Sequence, residues 1–183
     1  MKNLVLSTLK TIMAAFVMLA LVLISGCAVT ESLASPPDAA ESYVPGKNIS
    51  DIINYRISVS GLVEQPLNLS YGDLVHLDTT SVFAYLFCPG VYYEYNKWTG
   101  VSITSLLDFA GAKENAGHVI FTAIDGYEMI FTVEQLEENS AILAYLKDGA
   151  ELTDEDGYPV RLVVPDLDGY YWVRWLIGVD ISS

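Results

Sequence analysis

A chain of 183 residues, 52% hydrophobic and 17% charged, is long enough for one folded domain and too short for two. Its 23 acidic against 9 basic residues give a formal charge of -14. Such a surface repels nucleic acid and anionic lipid headgroups, so nucleic-acid binding is excluded as a function.

Residues 1–26 carry Lys2 and Lys10 ahead of an uncharged apolar run at 12–24, the pattern of a secretory leader and shorter than a comfortable membrane span. The run ends in Ile24-Ser25-Gly26-Cys27, which resembles the lipobox of bacterial lipoproteins, where small residues suit the peptidase and the cysteine thiol receives the lipid. The resemblance implies a signal peptide over 1–26, lipidation at Cys27, a tether over 27–54 and a domain over 55–183. The protein is then exported and lipid-anchored to the outer face of a membrane. The plainer alternative is an uncleaved signal anchor with an incidental cysteine. Cleavage before Cys27 removes two basic residues and no acidic ones, taking the charge from -14 to about -16. With Cys27 lipidated, Cys88 has no disulfide partner in the mature chain.

Residues 28–54 are rich in Ala, Ser, Pro, Asp and Glu without an apolar period, as a tether is. From Tyr55 the pattern alternates, with Tyr55, Ile57 and Val59 on one face and Arg56, Ser58 and Ser60 on the other, a half-buried strand closed by Gly61. Ser70 and Asp73 stand at capping-box spacing and predict a short helix to about Leu77. Residues 82–87 read as a buried strand leading to Cys88. Ile103, Leu106, Leu107 and Ala110 recur at helical spacing, with Gly111 as a stop.

Strands at 119–124 and 127–133 flank Asp125-Gly126, a two-residue hairpin signal. Thr132 and Gln135 form a second capping box before an acidic helix at 134–138. Residues 141–146 suit strand or helix, with strand preferred. Asp148-Gly149 and Asp156-Gly157 are turns, and 158–164 and 170–181 are the last strands. Strands outnumber helices and no regular βαβ repeat is present, so the fold class is a mixed α+β domain.

The stretch FCPGVYYEYNKWTGVSI, residues 87–103, sets Cys88 on a Pro-Gly turn before a tyrosine cluster and Trp98-Thr99-Gly100-Val101. Taken alone, Cys88 reads as a buried small hydrophobe. Arg161, within an apolar strand, could pair with one of many carboxylates. Arg174, between Val173 and Trp175, alternates to solvent. Tyr92, Tyr93 and Tyr95 suit a core edge or a pocket wall. His76 and His118 read as surface residues. Asp154-Glu155-Asp156-Gly157 and Asp166-Leu167-Asp168-Gly169 fall short of calcium-loop spacing and read as turns. No phosphate-cradling Gly-rich loop, haem-attachment motif or serine-nucleophile elbow occurs.

The strand and turn YRISVSGLVEQP, Cys88 followed by Trp98-Thr99-Gly100-Val101, the Asp125-Gly126-Tyr127 hairpin and the run Gly157-Tyr158-Pro159-Val160-Arg161-Leu162-Val163-Val164-Pro165 come in one order over 55–181. Together they resemble the molybdopterin-binding domain of the sulfite oxidase family. The resemblance implies a strand-rich domain holding a molybdenum-molybdopterin cofactor, with Cys88 as the catalytic, metal-ligating thiolate. It implies that Asp156 and Arg161 contact the pterin and its phosphate tail, and that Trp172, Val173 and Arg174 meet that phosphate, Arg174 standing for a usual lysine.

The departures from the family pattern are Tyr171 at a lysine, Trp172 at a small glycine, and a tether where the family has an upstream cofactor-contacting segment. The leader also lacks an Arg-Arg pair, so the chain is expected to leave unfolded, whereas the family's cofactor leaves inside a folded protein. Two functions follow. One is oxygen-atom transfer on a small oxo-compound, with a separate redox partner protein. The other is a cofactor-free binding or interaction module on the same scaffold, its pocket lined by the tyrosines, Trp98 and Trp172.

Overall fold

A computed structural model describes residues 49–183 apart from 89 and 91. The leader, Cys27 and most of the expected tether lie outside the described residues. The end of that stretch, Ile49–Asn54, is a short helix (α1). The alternation beginning at Tyr55 then produces β1 (Arg56–Gly61), with Ile57 and Val59 fully buried and Arg56 and Ser58 turned outward.

β2 (Leu67–Ser70) pairs antiparallel with β1, and Ser70 caps α2 (Tyr71–Val75) through the reciprocal box with Asp73 that the sequence predicts. β3 (Thr79–Cys88) and β4 (Tyr92–Ser102) follow, then α3 (Ile103–Ala110), whose Ile103, Leu106, Leu107 and Ala110 are all buried. Gly111 ends α3 at φ 67°, a left-handed conformation that costs glycine little.

β5 (His118–Ala123) and β6 (Glu128–Thr132) are the expected hairpin across Asp125-Gly126. α4 (Val133–Glu138) opens on the Thr132–Gln135 capping box. β7 (Ile142–Lys147), β8 (Ala150–Glu151), β9 (Arg161–Val163) and β10 (Leu176–Ser182) complete the described elements.

The strands form two sheets, in orders β2-β1-β10-β5-β6 and β3-β4-β7-β8, with β9 on β7. Only the β1–β10 pairing is parallel among those described. This is the strand-rich mixed fold that the sequence predicts. Its core runs continuously through both sheets, with Ile57, Val59, Trp98, Phe121, Leu143, Leu162 and Val179 among the buried residues.

Three expected elements differ. The strand expected at 158–164 shrinks to Arg161–Val163, because Pro159 and Pro165 bracket it and offer no N–H to a ladder. The strand expected at 170–181 begins only at Leu176. A 3-10 turn at Gly169–Tyr171 and a left-handed Trp175, at φ 51°, break its first half. The tyrosine cluster is itself a strand: β4 pairs with β3 over ten positions, from Thr79 opposite Val101 to Cys88 opposite Tyr92.

The β3–β4 ribbon buries Ala84 and Leu86 on one face and turns Phe83, Tyr85, Phe87, Tyr93 and Tyr95 outward, so Tyr93 and Tyr95 are neither core edge nor pocket wall. The outward rings stack across the strands, with Tyr85 4.3 Å from Tyr95 and 5.0 Å from Tyr93 between centroids. Such cross-strand aromatic contacts stabilise a ribbon by roughly 0.2–1 kcal/mol each.

Where β4 meets β7 the register shifts between Thr99 and Gly100, and a Cβ on Gly100 would fall 1.9 Å from the Leu143 carbonyl oxygen. Gly100→Ala is therefore expected to lower stability by about 3 kcal/mol. Gly126→Ala, at φ 84° but in open space, is expected to lose only about 1 kcal/mol. Urea unfolding followed by circular dichroism measures both.

Candidate functional site

β4, β9 and the loop before β10 each contribute one large side chain to a single buried stack. Arg161 is only 2% exposed, and its guanidinium carbon lies 5.1 Å from the centre of the Trp98 indole and 5.3 Å from that of Trp172. The two indoles meet edge to face at 5.6 Å. A guanidinium is planar and weakly hydrated for a cation, which suits it to a buried position against this pair of indoles.

Local backbone fixes each partner. Arg161 donates from Nη1 to the Asp156 carbonyl oxygen at 2.8 Å. Trp172 donates its indole N–H to the carbonyl oxygens of Val164 and Leu167, at 2.8 and 3.1 Å. Val173 is fully buried, and its carbonyl accepts from the Leu162 amide at 2.7 Å. The Trp98 indole N–H, also fully buried, has no hydrogen-bond partner among the described residues.

A second cation adjoins the stack. Lys147 Nζ lies 5.4 Å from the centre of the Trp98 ring and bonds the carboxylates of Glu94 at 2.7 Å and Asp156 at 2.9 Å. Asp156 also accepts from the Thr153 hydroxyl at 2.8 Å. The Asp156 carboxylate is thus committed to the protein's own donors, and its carbonyl to Arg161.

Asp156, Arg161, Trp172 and Val173 are therefore brought together, and Arg174 lies on the solvent side of the turn that carries Asp156. Its guanidinium carbon lies 4.5 Å from the centre of the Trp175 ring and Nη1 donates to the Glu155 carbonyl oxygen at 3.1 Å, in line with the outward position expected from alternation. Gly157, at φ 102°, presses its backbone against Arg174: a Cβ there would lie 2.8 Å from Arg174 Cβ. Cys88 ends β3 opposite Tyr92, and its side chain lies outside what is described.

Trp98 and Trp172, expected to line a pocket, are instead core, at 0% and 3% exposure. Glu94 and Lys147 were not distinguishable in sequence. Glu94 becomes Lys147's partner only through the β4–β7 pairing, which joins residues 53 positions apart. His76 and His118 are exposed, as expected. Among the described residues no group of three or more His, Cys, Asp or Glu side chains gathers where it could hold a metal.

The Lys147–Asp156 pair is linked to pH from both ends. Burial alone would raise the Asp156 pKa, but hydrogen bonds from Lys147 and Thr153 outweigh it and hold the carboxyl below the usual carboxylate range. For Lys147 burial lowers the pKa, and bonds to Glu94 and Asp156 outweigh that and raise it. A depressed carboxyl stabilises the fold above its unfolded pKa of about 4, and this contribution is lost as pH falls through the folded value. Asp156→Asn is expected to lower stability at neutral pH by on the order of 2 kcal/mol. The gap from the parent protein should hold constant above about pH 5 and narrow below about pH 4, as read from urea unfolding at stepped pH.

Residues 43–183 match the family model described as the oxidoreductase molybdopterin binding domain. YuiH of Bacillus subtilis (strain 168), an uncharacterised oxidoreductase, is 31% identical over 136 residues, covering 73% of this chain and 68% of its own length. Sulfite oxidase of Arabidopsis thaliana is 25% identical over 194 residues, covering 85% of this chain and 49% of its own. The solved sulfane dehydrogenase SoxCD of Paracoccus pantotrophus superposes with a TM-score of 0.65 at 28% identity, over 70% of this chain and 38% of its own. The chain thus spans less than half of each of these last two proteins. It belongs to the oxidoreductase molybdopterin-binding domain family and has that family's sulfite-oxidase-like fold.

Proposed function

We propose that this family member acts as a cofactor-free binding module, exported and held by a lipid on Cys27 at the outer face of a membrane. The observation that carries the reading is Trp172, at a position where the family pattern has a small glycine. It is 3% exposed and edge to face with Trp98, and both acceptors of its N–H are the protein's own carbonyls.

A phosphorylated pterin needs space and cations open to its phosphate. Here Arg161 is buried against two indoles, and Lys147 is held by Glu94 and Asp156. Tyr171 replaces one of the family's phosphate-binding lysines. As packed, the side chains at these positions do not fit the cofactor. A leader without an Arg-Arg pair supports the same reading, since a chain exported unfolded carries no cofactor with it.

A second reading, oxygen-atom transfer on a small oxo-compound with an external electron partner, is favoured by one feature. The buried Trp98 indole N–H has no acceptor among the described residues, and it stands beside Arg161 on the strand that follows Cys88. A buried donor without an acceptor costs about 1–3 kcal/mol and is a place where a ligand atom is accommodated.

Metal analysis separates the two. Full-length protein expressed in a host that makes the molybdenum cofactor is expected to contain molybdenum far below one equivalent, and Cys88→Ala to leave that content unchanged. Near-stoichiometric molybdenum that disappears in Cys88→Ala overturns the binding-module reading. For the anchor, labelled palmitate is expected in the membrane-bound parent protein and to be lost in Cys27→Ser; equal labelling of both overturns it.

A further inference from the structure

A cleft of about 520 Å³ opens on the outward face of the first sheet, lined by none of Cys88, Asp156, Arg161, Trp172, Val173 or Arg174. Its floor is built from side chains that strand alternation turns away from the core. Arg56 and Ser58 come from β1, Asn68 from β2 directly opposite Ser58, and Ile177 from β10. Its wall comes from the two loops that carry the candidate cofactor positions: Tyr158 lies two residues beyond Asp156, and Trp175 immediately follows Arg174. Trp172 and Trp175, three residues apart in the loop before β10, thus serve the buried stack and the cleft respectively.

The lining is chemically selective. Among the described residues no acidic side chain contributes to it, in a chain with 23 acidic residues against 9 basic ones, and Arg56 is the charged side chain there. Arg56 is held in place from one nitrogen, Nη1 donating to the carbonyl oxygens of Ile53 at 3.0 Å and Tyr55 at 2.6 Å. No carboxylate among the described residues forms an ion pair with it. The nearby Asp73 carboxylate accepts instead from the Ser70 hydroxyl and amide, at 2.7 and 2.9 Å. A fixed guanidinium with donors to spare recognises a carboxylate through two parallel hydrogen bonds, and the Asn68 amide and Ser58 hydroxyl are further polar groups on the same floor.

The remaining wall suits a flat apolar body. Trp175 is pinned by its N–H to the Asp154 carbonyl oxygen at 2.9 Å and by the Arg174 guanidinium over its ring, so the aromatic surface is in place before any ligand arrives. An apolar concavity of this size with a few convergent polar groups is the usual form of a small-molecule site.

We propose that the cleft binds a small aromatic carboxylate, its carboxylate on Arg56 and its ring against Trp175. Because the cleft shares no lining residue with the stack around Arg161, the inference does not depend on whether a cofactor is bound there, and the molybdenum measurement leaves it untouched. Isothermal titration of the full-length chain, against a detergent-only blank, uses 2-naphthoate and its neutral isostere 2-naphthamide as probes. Saturable binding at one site is expected, with 2-naphthoate about tenfold tighter than the amide. Arg56→Gln is expected to bring 2-naphthoate down to the level of the amide. Ile124→Trp, a filling substitution on a rim residue that is 41% exposed, is expected to weaken both probes. Equal affinity for the two probes, absence of saturable binding at millimolar concentrations, or 2-naphthoate binding unchanged in both variants overturns the proposal.

Discussion

The guanidinium of Arg161, buried against the touching indoles of Trp98 and Trp172, joins parts of the chain that are far apart in sequence. Trp98 belongs to a strand of the second sheet, Arg161 to a three-residue strand on the far side of β7, and Trp172 to the loop that leads into the first sheet. A buried cation requires compensation, and here two aromatic quadrupoles and a backbone carbonyl contribute to it. The guanidinium also ties β9 to the turn at Asp156 through that carbonyl. Lys147 repeats the arrangement one layer out, with carboxylates in place of the carbonyl.

That stack also determines what the inherited scaffold offers a ligand. In the family pattern the position of Trp172 is a glycine, whose lack of a side chain leaves room. An indole there fills the space with the most voluminous side chain available, and its N–H is already satisfied by Val164 and Leu167. Removing such a side chain from a core costs about 3–5 kcal/mol, so the indole is part of what holds the two sheets' loops in place.

Local chemistry was readable in the sequence wherever a few neighbouring residues decide the structure. The two capping boxes, the glycine stop after α3 and the Asp125-Gly126 hairpin all stand where their spacing places them, since each depends on hydrogen bonds within a few positions. The β3–β4 ribbon was not readable as such. Phe83, Tyr85 and Phe87 sit outward with Tyr93 and Tyr95 across from them, so apolar residues mark the solvent face as well as the core face and the usual alternation is masked. Family order pointed to Asp156, Arg161, Trp172 and Val173, and these do gather. Which of them face a cavity depends on long-range pairing, and no local pattern encodes that.

The distribution of positive charge links the filled stack to the open cleft. In so acidic a chain an anionic ligand needs a cation that the protein's own carboxylates have not already taken. Lys147 is bonded to Glu94 and Asp156, Arg161 is buried against two indoles, and Arg174 lies over Trp175 with one nitrogen on the Glu155 carbonyl oxygen. Arg56, like Arg174, is hydrogen-bonded to backbone carbonyls, which orient a guanidinium without cancelling its charge. It also lines a concave surface, where low-dielectric walls concentrate the field of a single charge. The same alternation that buries Ile57 and Val59 in β1 sets Arg56 and Ser58 on the opposite face. The cleft's polar floor is therefore a direct consequence of the pattern that makes β1 a core strand.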